Sequence, residues 1–209
     1  MDYTRSEAKA WAGKTFHGFF EAPFTPIGAD GEIDAKQLQE NIDRYIDLGV
    51  DGLVVGGFIA ELWTMTYQDW LRYHQLCAQA VRGRVPLFTI ILESSAKQAI
   101  EKLAYVQRLG YDGAEIMNPS VQLRSDNEIF DYMKYVADHS PLALVLYRTP
   151  MPGTLMSLDL IQRLAEIDTV VGVKQGSFSR SDTLVMRRRV RSDFIVSEPM
   201  ESFFLDDLR

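Results

Sequence analysis

Seven times along this chain a short apolar run gives way to a longer stretch with helical spacing, and no tight-turn signal joins one run directly to the next. The runs fall at 18–25, 52–57, 86–92, 113–117, 142–147, 170–176 and 194–197. Helical patterns occupy 6–14, 34–48, 66–81, 95–109, 127–138, 157–167, 181–190 and 201–208, with Asp34 and Thr66 as N-caps and Asp30-Gly31 as a turn. Strands of this kind, joined through helices, pair in parallel by right-handed crossovers. So many units in succession favour an α/β fold of the (β/α)8 TIM-barrel type over an open sheet, and no G-x-G-x-x-G turn follows the first run to argue for a dinucleotide-binding sheet. An eighth strand is missing from the pattern. The expected organisation is therefore an N-terminal helical extension over 1–16 and a barrel domain over 17–209, incomplete at its C-terminal side. Two sheet edges would be left unpaired, so the chain reads as a piece of a longer protein.

The sixth run, Val170-Val171-Gly172-Val173-Lys174-Gln175-Gly176, ends on a lysine. Catalytic groups of such barrels stand at the C-terminal ends of the strands. A lysine held there away from water finds its charged form disfavoured, its pKa falls, and the free amine can attack a carbonyl. Lys174 is thus a Schiff-base candidate. The strand alone also permits the opposite, with the run ending at Val173 and Lys174 in solvent.

Composition narrows the partners. A formal net charge of -7 and a pI near 5.0 argue against nucleic acid and anionic membranes, and Arg187-Arg188-Arg189 reads as a solvated helix face. The single Cys77 excludes an internal disulfide and suits a reducing cytoplasm. Met1 to Thr15 is too charged for a signal peptide, and no apolar segment is long enough to span a bilayer. Glu61, Glu93 and Glu198 at strand ends offer a metal-dependent alternative, but no histidine accompanies them. His17, His74 and His139 are expected at surface or dipole-stabilised positions.

Thr25-Pro26 with Asp30-Gly31-Glu32-Ile33-Asp34, Gly49-Val50-Asp51-Gly52-Leu53 leading to Gly57 and Glu61, Leu146-Tyr147-Arg148-Thr149-Pro150, and Gly172-Val173-Lys174-Gln175 together resemble the dihydrodipicolinate synthase and N-acetylneuraminate lyase family. The resemblance implies a barrel with a C-terminal helical extension, absent from this chain, and commonly a homotetramer. It implies that Lys174 forms an imine with pyruvate or a related 2-oxo acid without any cofactor or metal. Tyr147, which from the strand alone reads as a core tyrosine with a satisfied hydroxyl, would by this resemblance pass protons to and from the adduct. The loop Gly57-Phe58-Ile59-Ala60 would hold the substrate carboxylate.

The chain also departs from the family. Phe58, Ile59 and Ala60 stand where two threonines and a glycine are usual, so the loop retains backbone donors and loses both hydroxyls. Ser120 and Val121 occupy places where the synthases carry tyrosines, and Met151-Pro152-Gly153 lies where they place an arginine. Arg148 is a candidate replacement, although next to Tyr147 on a strand it points to the other face. Gln175 replaces a glutamate. These changes favour a lyase or aldolase acting on a more apolar partner, with Phe58, Ile59 and Val121 shaping the pocket, rather than dihydrodipicolinate synthase itself. The alternative is a non-catalytic small-molecule-binding or regulatory protein in which Lys174 is a remnant.

Overall fold

The computed structural model describes residues 2–119, 123, 125–152, 154–176 and 179–200. Seven strands alternate with helices: α1 (Ala8–Thr15), β1 (Phe20–Glu21), α2 (Ala35–Asp47), β2 (Gly52–Val55), α3 (Tyr67–Val81), β3 (Leu87–Ile91), α4 (Ala96–Arg108), β4 (Gly113–Ile116), α5 (Asp126–Asp138), β5 (Ala143–Arg148), α6 (Leu158–Leu164), β6 (Val170–Gln175), α7 (Arg180–Arg189) and β7 (Ile195–Ser197). Every neighbouring pair is parallel and the strand order follows the sequence from β1 to β7. This is a (β/α)8 barrel without its eighth strand among the described residues.

Local chemistry sets the helix starts. Asp34, Thr66, Ser95, Ser125 and Ser157 each accept a backbone N–H three residues on, satisfying a donor that the first turn leaves open. Strand β1 is shorter than its apolar run because Pro23 and Pro26 cannot donate to a ladder. Helix α6 ends at Leu164 rather than 167, and the Ile167 N–H bonds to the Leu164 carbonyl in a tighter turn. The helix expected at 201–208 lies outside the described residues.

Alternation along the strands divides the interior in two. Leu144, Leu146 and Val173 face the helices, in an outer core with Trp70, Leu103, Met133 and Leu160. Val54, Phe88, Ile90, Val145 and Val171 face inward, packed with Phe20 and Tyr147. The inward layer needs glycine where rings fill it: a Cβ on Gly52 would stand 2.2 Å from Phe20 Cε1, and one on Gly113 would stand 2.4 Å from Phe88 Cε1. Helix α1 closes the N-terminal ends of the strands. Ala8, Ala12 and Phe16 join the inward cluster, the Ala143 N–H donates to the Tyr3 hydroxyl, and the Lys9 ammonium donates to the Ile167 carbonyl.

A bulge fixes the register of the lysine strand. Leu144 pairs with Val170 but Val145 pairs with Gly172, so one extra residue of β6 is passed over before Tyr147 meets Lys174. The bulge lets Val171 fill the interior and still turns Lys174 inward beside Tyr147.

Candidate active site

Lys174 points into the barrel, and its side chain retains 18% of its exposure. The Nζ lies 3.0 Å from Glu115 Oε2 and 4.5 Å from the centre of the Tyr147 ring. Glu115 comes from β4 and its side chain is only 4% exposed. Phe58 sets its ring edge-on to Tyr147 at 6.1 Å and packs against Trp63 at 5.9 Å. A cavity of about 780 Å³ reaches Lys174 and Glu115 between β1 and β7, with Phe20, Val54, Ile59 and Ile195 among its walls. An ammonium and a carboxylate thus meet in a largely apolar chamber open to small molecules, with the Tyr147 ring against the ammonium.

The electrostatics correct one expectation. Burial by itself would push the Lys174 ammonium down, as the sequence suggested, but Glu115 and Tyr147 oppose it and the pKa ends above the ordinary lysine value of 10.5. The resting amine is protonated, held by an ion pair the sequence reading did not include. Tyr147 is also raised, first by burial and then by Glu115, with Lys174 pulling the other way, so the phenol is neutral and can donate at neutral pH.

The loop after β2 is set by backbone strain and hydrogen bonds. Gly56 has φ of 68° and Glu61 φ of 55°, both left-handed. The Gly56 N–H donates to the Tyr73 hydroxyl and Thr25 donates to the Ala60 carbonyl. The amides of Gly57, Phe58, Ile59 and Ala60 make no hydrogen bond among the described residues, which leaves donors for an anion. Ile59 lines the chamber and Phe58 packs against Tyr147, whereas Ala60 is buried in the outer core and offers only backbone.

Arg148 is not a substrate group in this arrangement. It lies on the outer face, where its guanidinium donates to the Met156 carbonyl, to Gln175 Oε1 and to Asp182 Oδ2, and it is only 3% exposed. Gln175 is spent as its acceptor. His74 also differs from expectation: it is fully buried behind the loop, with Nδ1 2.8 Å from the Tyr111 hydroxyl, and burial followed by Lys102 brings its pKa to about 3. His17 and His139 are exposed, as expected. Val121 lies outside the described residues. Glu93 pairs with Lys102, and among the described residues no three His, Cys, Asp or Glu side chains are grouped to hold a metal.

Glu115 is the residue that sequence reasoning missed. Its signal was a carboxylate inside the apolar run Gly113-Ala114-Glu115-Ile116-Met117, where a charge is rare without a partner.

Comparison with known proteins agrees with this architecture. Residues 15–208 match the model of the dihydrodipicolinate synthetase family. The 4-hydroxy-tetrahydrodipicolinate synthase of Oceanobacillus iheyensis is 29% identical over 188 residues, covering 90% of this chain and 64% of that protein. The corresponding enzyme of Anaplasma marginale is 30% identical over 159 residues, 76% of this chain and 53% of its own length. This chain therefore spans a little over half to about two thirds of such relatives. The structure of the synthase from Methylacidiphilum fumariolicum superposes with a TM-score of 0.87 at 24% identity, covering 91% of this chain and 64% of that one. A prophage protein of E. coli K12, solved in complex with pyruvate, superposes with a TM-score of 0.88 at 26% identity, covering 92% and 66%. Among the described residues no helix is long and apolar enough to cross a membrane. With the family model matched over nearly its whole length, this chain belongs to the dihydrodipicolinate synthetase family.

Proposed function

We propose that the protein is a class I lyase or aldolase in which Lys174 forms an imine with pyruvate or a related 2-oxo acid, and that it is not a dihydrodipicolinate synthase. The observation that carries the reading is the Lys174 amine inside the barrel beside Tyr147, on the wall of a chamber that admits a small molecule. The amine attacks the keto carbon. The resulting iminium withdraws electrons so that the neighbouring carbon can lose a proton or a bond. Tyr147, a neutral phenol against the lysine, is suited to exchange protons with the adduct. The open amides of Gly57, Phe58 and Ile59 would hold the 2-oxo acid carboxylate. The pyruvate complex of the E. coli relative supports the substrate class. Phe58 and Ile59, in place of hydroxyl-bearing residues, support an apolar second substrate, and the tetramer and cytoplasmic setting implied by the family belong to the same reading.

A second reading has one observation behind it. The Lys174–Glu115 pair keeps the amine protonated at rest, which suits a binding protein whose lysine no longer reacts. Incubation with pyruvate and borohydride, followed by mass spectrometry, separates the two. A reduced adduct mapped to Lys174 is the expected result. An unchanged mass across a panel of 2-oxo acids would leave the binding protein.

A further inference from the structure

The lysine must lose a proton before it can attack, and the carboxylate that holds that proton is already in contact. We infer that Glu115 is the acid–base group of imine formation at Lys174, replacing hydroxyl groups that this chain lacks. The inference rests on the 2-oxo acid reading above.

Three observations converge on it. Glu115 Oε2 is 3.0 Å from Lys174 Nζ, so it touches the reacting atom directly. The carboxylate is 3% exposed in an otherwise apolar inward layer, a position where an aliphatic side chain would pack without the desolvation cost of a buried ion pair. Both members of the pair nevertheless line the chamber, so substrate can reach them. Phe58 and Ile59 bring no hydroxyl to the chamber, and the sequence has Ser120 and Val121 rather than phenols beyond β4. Glu115 is the nearby group able to take a proton from Lys174 and return one.

The steps balance within the pair. Lys174 gives a proton to the Glu115 carboxylate, leaving a neutral amine and a carboxylic acid. The nitrogen lone pair forms a bond to the keto carbon, and the carbonyl oxygen takes one of the two nitrogen protons, giving a neutral carbinolamine. The Glu115 acid then protonates the departing hydroxyl, water leaves, and the nitrogen lone pair forms the iminium double bond. Glu115 ends as a carboxylate against the iminium, in the charge state from which it began. No cofactor or outside acid is consumed.

The charged and titratable groups around the pair are Tyr147 on β5, His17 before β1, Glu21 on β1, Arg187 on α7 and Glu198 after β7. The test measures the rate and final extent of borohydride-trapped pyruvate adduct against pH in wild type, Glu115→Gln and Glu115→Asp. The Gln variant should trap on the order of 10²–10⁴ times more slowly while reaching the same final extent, because Lys174 is still present. Its pH profile should move to lower pH, since burial of the amine is then opposed by Tyr147 alone. The Asp variant, with its carboxylate withdrawn by one methylene, should fall between. A folded Gln variant with wild-type rate and profile overturns the inference, as does a wild-type rate in Asp should Gln fail to fold. Absence of any adduct in the wild type is a different result: it removes the 2-oxo acid reading and this inference with it.

Discussion

Tyr147 and Arg148 are consecutive on β5, and Lys174 and Gln175 are consecutive on β6, yet the two rows of side chains serve opposite ends. The inward row puts Lys174 against Glu115 at 3.0 Å with a chamber beside it. The outward row puts Arg148 against Asp182 at 2.8 Å, with its remaining donors on Gln175 and the Met156 carbonyl. Each pair has one member almost wholly buried, while Lys174 keeps 18% and Asp182 29% of its side-chain exposure. The outer pair belongs to a hydrogen-bonded network that ties β5 and β6 to α7 and to the chain before α6. The inner one lines a cavity that a small molecule can enter, and in the proposed chemistry it passes a proton. What a buried charge does here is decided by which face of the strand carries it, more than by the charge itself.

The sharpest way to break this contrast is to remove each pair in turn. Lys174→Met with Glu115→Leu should abolish the trapped adduct completely. Stability measured by urea unfolding should stay level or rise by up to about 4 kcal/mol, since apolar side chains replace a buried pair. Arg148→Ala should do the reverse. With Asp182 and the Met156 carbonyl stripped of their donor, it should lose about 3 kcal/mol of stability while the protein that remains folded still forms adduct at Lys174. An Arg148 variant that keeps its stability but loses adduct would erase the distinction.

The sequence carried the outer architecture well and the inner site only in part. Repeating apolar runs and N-caps such as Asp34 and Thr66 are local signals, so element order and helix starts could be read directly. The placement of Lys174 beside Tyr147 followed from the family motifs, and the structure agrees with it. Glu115 could not be found this way, because its partner lies 59 residues along the chain and two strands away. The raised lysine pKa was hidden for the same reason: burial is suggested by the run around Lys174, whereas an opposing charge from β4 is a product of how the curved sheet brings β4 and β6 together. The error over His74 has a similar origin. Its helical setting says nothing of the pocket formed by Tyr73, Tyr111 and Thr89, into which it packs.

His74 extends the comparison to the outer layer, where polar groups should act through stability alone. Its folded pKa of about 3 lies below the ordinary 6.5 because burial penalises the charged ring. Between those values the unfolded chain binds a proton that the folded chain does not, so stability must fall as pH drops from 6.5 toward 3. The slope from this residue is at most about 1.4 kcal/mol per pH unit. His74→Gln should flatten that part of a urea-unfolding series without changing the pH profile of adduct formation. A change in the adduct profile instead would mean that the outer layer reaches the chemistry.

The smallest expected effect tests the loop itself. Phe58→Thr returns a hydroxyl to the turn that is proposed to hold the substrate carboxylate, and one hydrogen bond of net value about 1 kcal/mol corresponds to roughly fivefold tighter binding of pyruvate. The same change removes the ring packed edge-on to Tyr147, so an apolar second substrate should bind more weakly. The two effects have opposite signs in one variant, which makes the measurement independent of any general loss of folded protein. Tighter pyruvate with weaker apolar partners would assign the carboxylate to the backbone of Gly57–Ile59 and specificity to Phe58. Weaker pyruvate as well would mean that the ring orients the inner row, and that Tyr147 depends on Phe58 for its position against Lys174.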